Sequence, residues 1–257
     1  MGSLKPQLWV FLRGLGREKG HWGTFIKEFN QTFPEDKVLC VDLPGMGEAR
    51  NVKTPTNLQG IMEFVREHSH LKGWQEEPLN LFSISLGGMV TLEWVRYYPQ
   101  ELNSVVIINS SVGGLMPFYR RLRLISAPHF FSLCLVKDKL RREQKIVDLI
   151  SNRRDKHNQV AQAWHELGLK RPIKGANVVR QLLAASRFRL PKKMPQVPTL
   201  LMVAKGDRLT HPDCSEALHR HYGWDIVRHS WAGHDLPVDD SAWILHQLHH
   251  WRKERNF

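Results

Sequence analysis

The sequence predicts an α/β fold built on a mostly parallel central sheet with helices on both faces. Short apolar, β-prone runs recur along the chain, near residues 8–13, 37–42, 78–84, 103–109, 197–204 and 225–230. Helix-like stretches separate them, most clearly 57–68 and 87–97. Such alternation is typical of strands that pair in parallel through helical crossovers. The length of 257 residues, with 42% hydrophobic content, suits one sizeable domain.

One long segment interrupts this alternation. Between Asn109 and Pro191 the strand pattern disappears, and helix-like sequence takes its place. We therefore expect a core formed by residues 1–111 and 191–257, and a helical insertion, residues 112–190, which we call the cap.

The third strand ends at a candidate nucleophile. Strand-like residues run up to Ile84, and after Ser85 the chain continues with a helical pattern. A serine at such a sharp strand-to-helix turn needs small residues two positions away on either side, because backbone approaches backbone there. Ser83 and Gly87 meet this need, although Ser83 departs from the common Gly-x-Ser-x-Gly pattern. The alternative is an ordinary turn rich in serine and glycine.

The last two strands are followed by a carboxylate and an imidazole. Asp207 lies just past the fifth strand, at the edge where open α/β sheets collect their chemistry. His234 lies in a small-residue turn after the sixth strand, and it alone among the 14 histidines has this context. Asp213 is an alternative carboxylate, although its position after a proline is typical of a helix cap. The chain order Ser85, Asp207, His234 is that of the α/β-hydrolase triad.

With these residues the chain resembles the α/β-hydrolase superfamily over nearly its full length, and in particular its small bacterial-type carboxylesterase-like members with a helical cap. Arg13–Gly16, after the first strand, is similar to the family's His-Gly-x-Gly loop, with Arg13 in place of the histidine. Val41–Gly47 resembles the Asp-x-Pro-Gly-x-Gly stretch that follows the next strand. The resemblance implies the α/β-hydrolase fold, with the cap inserted after the sixth strand of the family's sheet.

The resemblance also implies roles for five residues. Ser85 would be the nucleophile, His234 its base, and Asp207 the carboxylate that orients the imidazole. A serine hydroxyl is a poor nucleophile until a base removes its proton, and histidine suits this task because its ordinary pKa of about 6.5 lies near working pH. The backbone N–H groups of Leu15 and Leu86 match the oxyanion hole, where one donor contributes about 100- to 1,000-fold in rate.

Arg13 has two interpretations. Its guanidinium could contact an anionic substrate group, or it could hold its loop through carbonyls and a carboxylate such as Asp42 or Glu18. We favour the structural role, because a guanidinium keeps its charge and offers no acceptor, so it cannot replace a histidine chemically. Asp235, next to His234, is expected to cap the following turn.

The positive charge of the chain is concentrated in the cap. The net charge is +12, from 37 basic and 25 acidic residues, and residues 115–193 hold 19 of the basic and 5 of the acidic ones. A solvated face that only aids solubility would explain this pattern. The functional alternatives are docking of an acidic acyl carrier protein, a coenzyme A ester or an anionic lipid surface. Nucleic acid is not expected, because the basic stretch lacks an aromatic platform or a known binding motif.

These features together predict a serine hydrolase that cleaves a carboxylic ester through an acyl-enzyme. A predominantly apolar cap favours an apolar acyl chain or a small hydrophobic ester as the substrate. Hydrolysis of thioesters, or of esters linked to acyl carrier protein, would use the same groups, and the same scaffold supports carbon–carbon hydrolases and lyases. The non-enzymatic alternative is a catalytically silent binding protein, although such proteins usually lack a triad member.

The remaining composition excludes several classes of protein. No apolar run reaches the roughly 18 residues of a membrane span, and the first residues lack a signal-peptide layout. We therefore expect a cytoplasmic protein with no transmembrane segment. The three cysteines show no metal-binding spacing, so no metal is expected. No cofactor is expected either.

Overall fold

A single parallel sheet forms the centre of the molecule. The computed structural model describes residues 5–74, 77–121, 123, 132–133 and 135–256. The sheet has six strands in the order β2-β1-β3-β4-β5-β6, all paired in parallel. The strands are β1 Leu8–Leu12, β2 Lys37–Cys40, β3 Leu79–Ile84, β4 Leu102–Ile108, β5 Thr199–Ala204 and β6 Asp225–His229. All six predicted strands are present, so the predicted fold class is confirmed.

Helices connect the strands and cover both faces of the sheet. They are α1 Phe25–Thr32, α2 Leu58–Leu71, α3 Leu86–Tyr97, α4 Phe118–Arg121, α5 Lys139–Ile150, α6 His157–Lys170, α7 Gly175–Arg187, α8 Asp213–Tyr222, α9 Leu236–Asp239 and α10 Ser241–Arg255. In α2 the side chain of Asn57 caps the first turn, accepting a hydrogen bond from the backbone N–H of Gly60. Within the described ranges, no helix combines the length and apolar character needed to cross a membrane.

The sheet divides the core into two layers, because successive side chains of a strand point to opposite faces. On β1, Val10 and Leu12 pack in the layer that includes α2 and α3. Trp9 and Phe11 pack in the opposite layer, which includes α1 and α10. The central strand β3 is buried along its whole length. Burial on both sides explains why these strands read as nearly continuous apolar runs.

The segment between β4 and β5 corresponds to the predicted cap. Its described residues form α4 to α7 and contribute no strand to the sheet. Helices α5 and α6 share a small apolar cluster that includes Val147 and Trp164, whereas α7 adds Ala184 to the main core. The segment is therefore packed partly on itself and partly on the sheet. Its boundaries as a separate cap, residues 112–190, stay a prediction.

Helix α3 lies close against the end of β1 because Gly87 has no side chain. A Cβ added at Gly87 would lie 2.5 Å from the carbonyl oxygen of Leu12 and 2.8 Å from that of Arg13. Backbone oxygens cannot move aside as the end of a flexible side chain can. The close approach fixes the first turn of α3 relative to the loop after β1.

We expect Gly87→Ala to lower the free energy of unfolding by about 1–3 kcal/mol, the usual cost of overpacking. Gly168→Ala is the matched control, because a Cβ there meets nothing within 4 Å and alanine favours a helix interior by about 0.5–1 kcal/mol. Urea denaturation of both variants measures the difference. Equal stabilities of the two variants would contradict the close packing of α3.

Candidate active site

Ser85 lies at the turn between β3 and α3 in a strained backbone conformation. Its φ is 57° and its ψ is −117°, a region that costs a residue with a side chain about 1–3 kcal/mol. Three hydrogen bonds hold it there. The N–H of Ser85 donates to the carbonyl of Ile108 at 2.9 Å, and the carbonyl of Ser85 accepts from Ser110 Oγ at 2.8 Å and from the N–H of Gly88 at 3.0 Å. The turn projects the Ser85 side chain from the carboxyl edge of the sheet.

Ser83, which departs from the common sequence pattern, is accommodated inside the sheet. It is buried on β3, and its hydroxyl donates to the carbonyl of Val106 on β4 at 3.1 Å. The additional polar atom therefore has a partner, and it does not disturb the tight turn at Ser85.

Asp207 and His234 are in direct contact at the same edge of the sheet. Both are buried, and His234 Nδ1 lies 2.7 Å from Asp207 Oδ2. The other carboxylate oxygen, Oδ1, accepts from the N–H groups of Leu209 at 2.7 Å and Thr210 at 2.9 Å. One oxygen is thus fixed by the backbone and the other contacts the imidazole through Nδ1, so Nε2 is the ring nitrogen that can accept a proton from another group. The alternative carboxylate, Asp213, lies in the first turn of α8.

Ser85 lies at the same edge of the sheet as His234, but the two side chains are not in hydrogen-bonding contact. Within the described residues, the Ser85 hydroxyl makes no hydrogen bond with the His234 ring. Catalytic hydrogen bonds are often long or poorly aligned before substrate binds. The structure thus brings Asp207 and His234 together, and it holds Ser85 nearby through the strand ends. In the same described part of the chain, no three His, Cys, Asp or Glu side chains are grouped to bind a metal ion.

Asn109 connects the parts of this edge, although its sequence context does not single it out. It is buried directly after β4 with a φ of 47°. Its Oδ1 accepts from the N–H of Ala204 at 2.9 Å, and its Nδ2 donates to the carbonyls of His234 at 2.9 Å and Gly233 at 3.3 Å. The amide therefore ties the end of β5 to the turn that carries His234. The sequence feature that could have indicated this role is an asparagine at the end of a strand, because asparagine tolerates left-handed backbone.

The two predicted oxyanion donors lie on segments that flank Ser85. Leu86 is the first residue of α3, so its N–H has no acceptor within the helix. Leu15 follows Gly14, whose backbone packs against Ser85: a Cβ added at Gly14 would lie 3.1 Å from Ser85 Cβ. The next residue, Gly16, donates its N–H to Gln181 Oε1 on α7 at 3.0 Å. A residue of the inserted segment therefore helps to position the loop after β1.

Arg13 has the structural role that we favoured, but its partner is Asp235. The guanidinium donates to the Asp235 carboxylate through Nη1 at 3.3 Å and through Nη2. It also lies 4.8 Å from the ring centroid of Trp22. Both charged groups are buried. The expectation that the Asp235 side chain caps the next turn was wrong, because this carboxylate is bound to Arg13 and makes no cap hydrogen bond.

The two carboxylates predicted as partners of Arg13 are engaged elsewhere. Asp42 accepts the N–H groups of Lys19 at 2.6 Å and Glu48 at 2.9 Å. Burial raises the pKa of Asp42, and these two hydrogen bonds oppose the shift. Glu18 accepts from Arg171 Nε at 2.6 Å. Both carboxylates therefore stabilise the loops after β1 and β2 rather than Arg13.

Comparison with known proteins agrees with this architecture. The profile of the serine aminopeptidase S33 hydrolases matches residues 6–234, most of the chain. The chain belongs to this family. The S33 family and the structural relatives of the chain are α/β-hydrolases, so membership of that superfamily is confirmed.

Several solved structures share the fold of this S33 family member. The enol-lactonase from Burkholderia xenovorans is 13% identical with a TM-score of 0.75, over 97% of this chain and 92% of that one. A thermophilic esterase from Thermogutta terrifontis is 17% identical with a TM-score of 0.73, over 99% and 92% of the two chains. Identities at this level establish a common fold and leave the substrate open.

A more limited sequence match links the chain to a lipase. Monoacylglycerol lipase ABHD6 of Homo sapiens is 24% identical over 105 residues, which is 40% of this chain and 30% of the lipase. The match therefore spans less than a third of the relative's length. Together with the structural relatives, it supports assignment of the chain to the hydrolases, which include esterases and lipases.

We expect Asp235→Ala to lower the free energy of unfolding by about 3–5 kcal/mol, because it leaves the Arg13 guanidinium buried without a partner. The control is Glu216→Ala, which removes the more exposed pair with Arg228 and should cost less than about 1 kcal/mol. Urea denaturation at neutral pH measures both. The assigned role of Asp235 would be wrong if its loss costs no more than the loss of Glu216.

Proposed function

We propose that this protein is a serine hydrolase that cleaves a carboxylic ester through an acyl-enzyme. Ser85 Oγ attacks the ester carbonyl, and His234 Nε2 takes the hydroxyl proton and passes it to the leaving alcohol. Asp207 holds the imidazole in the required tautomer. A water molecule then attacks the acyl-enzyme, with His234 again as the base, and the carboxylic acid is released.

The observation that carries this proposal is the buried contact of 2.7 Å between His234 Nδ1 and Asp207 Oδ2. It lies at the sheet edge that also presents Ser85 on a strained strand-to-helix turn. The N–H groups of Leu15 and Leu86 are the proposed donors to the oxyanion that forms on the substrate. Since such donors stabilise charge that develops in the transition state, they act on turnover more than on binding.

An ester fits the charge of this chain better than a peptide with a free amino terminus. The family description names an aminopeptidase, and an aminopeptidase must bind a cationic α-amino group. Residues 115–193 carry 19 basic and only 5 acidic side chains, so their field opposes a cation. An apolar acyl chain or a small hydrophobic ester meets no such opposition. The names of the relatives, an esterase, a lactonase and a lipase, agree with this preference.

We further propose that residues 112–190 act as a cap over this site. Two contacts support the assignment. Gln181 of α7 accepts the N–H of Gly16 in the loop after β1, and Arg123 Nη1 donates to the carbonyl of Asp207 at 2.6 Å. The inserted segment thus touches the site from two sides.

Some finer features stay predictions. They are thioester cleavage, carbon–carbon hydrolysis, docking of an acyl carrier protein or a coenzyme A ester at the basic cap, and a cytoplasmic location. A catalytically silent binding protein is less well supported, because all three predicted triad residues lie at one edge of the sheet. Measuring labelling and turnover separates this last alternative from an enzyme.

A fluorophosphonate probe should label the purified protein at Ser85, because the probe reacts with activated serine hydroxyls. Ser85→Ala should not be labelled. Ser83→Gly is the matched control, since it changes a serine two positions away and restores the common pattern; it should keep its label. Peptide mass spectrometry identifies the modified residue, and equal labelling of wild type and Ser85→Ala would end the assignment.

Asp207→Asn should lower kcat on a p-nitrophenyl ester by about 10³- to 10⁴-fold with little change in KM, because the amide favours the wrong imidazole tautomer. Asp213→Asn, at the alternative carboxylate, should leave kcat within about twofold, since Asp213 lies partly exposed in the first turn of α8. Steady-state kinetics of the two variants decide between the carboxylates. A larger loss in Asp213→Asn would transfer the role to that residue.

A further inference from the structure

Helix α7 exposes three large apolar residues and buries two polar ones, which is unusual for a surface helix, although Ala184 of the same helix packs in the core. Val179, Leu182 and Leu183 are 56%, 43% and 40% exposed. Their spacing of three and four residues places them on one stripe of the helix. Asn177 and Gln181 lie on the other side and are buried. We call the three exposed residues the apolar stripe.

The buried polar residues fix the rotation of α7. Asn177 Oδ1 accepts from the N–H of Thr54 at 3.2 Å, and Gln181 Oε1 accepts from the N–H of Gly16 at 3.0 Å. The apolar stripe could turn inward only if both hydrogen bonds broke. Its exposure is therefore a specified feature of the fold. Contiguous exposed apolar surface marks interaction sites when it joins further binding features.

A groove with basic walls continues the stripe at the end of α7. Its volume is about 570 Å³, and it is lined by residues 113–117 together with Arg121, Ser186 and Arg189. Ser186 lies three residues after Leu183 and four after Leu182 on α7, so the groove begins where the stripe ends.

Two guanidinium groups converge in this groove. A Cβ added at Gly113 would lie 3.1 Å from Nη1 of Arg121 and 3.1 Å from Nη1 of Arg189. Among the residues that the structure describes, neither arginine is paired with a carboxylate. Arg121 Nη2 donates to the carbonyl of Ala185 at 2.8 Å, while its Nε is buried without a partner. Burial, and then the charge of Arg189, lower the pKa of Arg121. Two like charges this close favour an oxyanion between them.

We propose that the apolar stripe and the arginine groove together form a docking surface for an anionic lipid bilayer. Exposed leucine and valine side chains can enter the boundary between headgroups and acyl chains, and arginines beside them can bind lipid phosphates. The excess of basic residues in the cap attracts the same surface at longer range.

A second copy of this chain fits the surface less well. A symmetric dimer through the stripe would bring the same patch of both copies together. If the two helices pack in parallel, the groove arginines of the two copies approach each other. If they pack antiparallel, these arginines approach Lys174 at the start of the other copy's α7. Like charges repel in both arrangements. A bilayer that contains anionic lipid supplies the opposite charge and an apolar phase at the same time.

The position of α7 connects this surface with the site. The outer side of the helix carries the stripe, and its inner side holds Gly16 in the loop that carries the proposed oxyanion donor. Docking itself requires no ester hydrolysis, so it is measurable in a chain with Ser85→Ala.

Co-sedimentation of the full chain carrying Ser85→Ala, with phosphatidylcholine vesicles that contain or lack phosphatidylserine, tests the proposal. We expect binding to the anionic vesicles, weakened by salt, and at least about tenfold weaker binding to the neutral ones, because each basic residue near an anionic surface contributes about fivefold in affinity. Equal binding to both vesicle types, or binding to neither, would overturn the proposal.

Variants assign the binding to this surface. In the Ser85→Ala chain, Leu182→Gln with Leu183→Gln should weaken binding about tenfold or more through lost apolar burial. Arg189→Gln, at an exposed position, should weaken it about fivefold. The controls are Leu71→Gln, at a residue 75% exposed at the end of α2, and Arg220→Gln on α8. Both should bind as the parent does.

Two further measurements separate docking at this surface from misfolding of the variants and from self-association. Thermal unfolding of each variant should match that of the parent, and with Ser85 restored the stripe variant should keep its activity on a soluble p-nitrophenyl ester. Loss of binding with kept activity supports docking independently of the proposed chemistry. Equal losses in the controls, or a lipid-free dimer in sedimentation equilibrium that the stripe variant abolishes, would reject the bilayer as the occupant.

Discussion

Parallel pairing of β3, β4, β5 and β6 is the constraint on which the candidate site depends. Strands in such a sheet lie about 4.8 Å apart, so residues just past neighbouring strand ends can reach each other. Ser85 follows β3, Asn109 follows β4 and Asp207 lies beyond β5. His234 comes five residues after β6 and needs a turn to return to the edge. The Asn109 amide and a hydrogen bond from the N–H of Gly233 to Asp239 hold that turn in place.

Structural features that are determined by residues close together in the chain could be predicted from the sequence. The strands were predictable because burial on both faces requires apolar runs, and α2 was predictable because a helical pattern follows Asn57. The strand-to-helix turn at Ser85 was equally local, since Ser83 and Gly87 lie within two residues of it. Asp207 and His234 were found because each follows its own strand at the edge where parallel strands end. The roles of these residues in catalysis stay a proposal.

Features that depend on distant contacts could not be read in this way. The sequence offered several carboxylates for Arg13, but the actual partner, Asp235, lies 222 positions away, and the guanidinium also packs against Trp22. Asn109 carries no signal that it will reach the His234 carbonyl. The orientation of α7 also depends on distant contacts, because the apolar pattern alone would predict that Leu182 and Leu183 face the core. The hydrogen bonds of the buried Asn177 and Gln181 amides hold these leucines on the outer side of the helix instead.

The hydrogen bond between Gln181 and Gly16 couples the position of α7 to that of the loop after β1. Under the proposed mechanism, an acyl group large enough to displace α7 would move the acceptor of Gly16, and the loop would then either follow or lose this hydrogen bond. If the loop follows, the N–H of Leu15, which is the proposed oxyanion donor, moves relative to Ser85, and misplacement by about 1 Å can cost on the order of 100-fold in rate. Under the proposed mechanism the chain would reject oversized substrates after they have bound, so that they occupy the site without being consumed and behave as inhibitors.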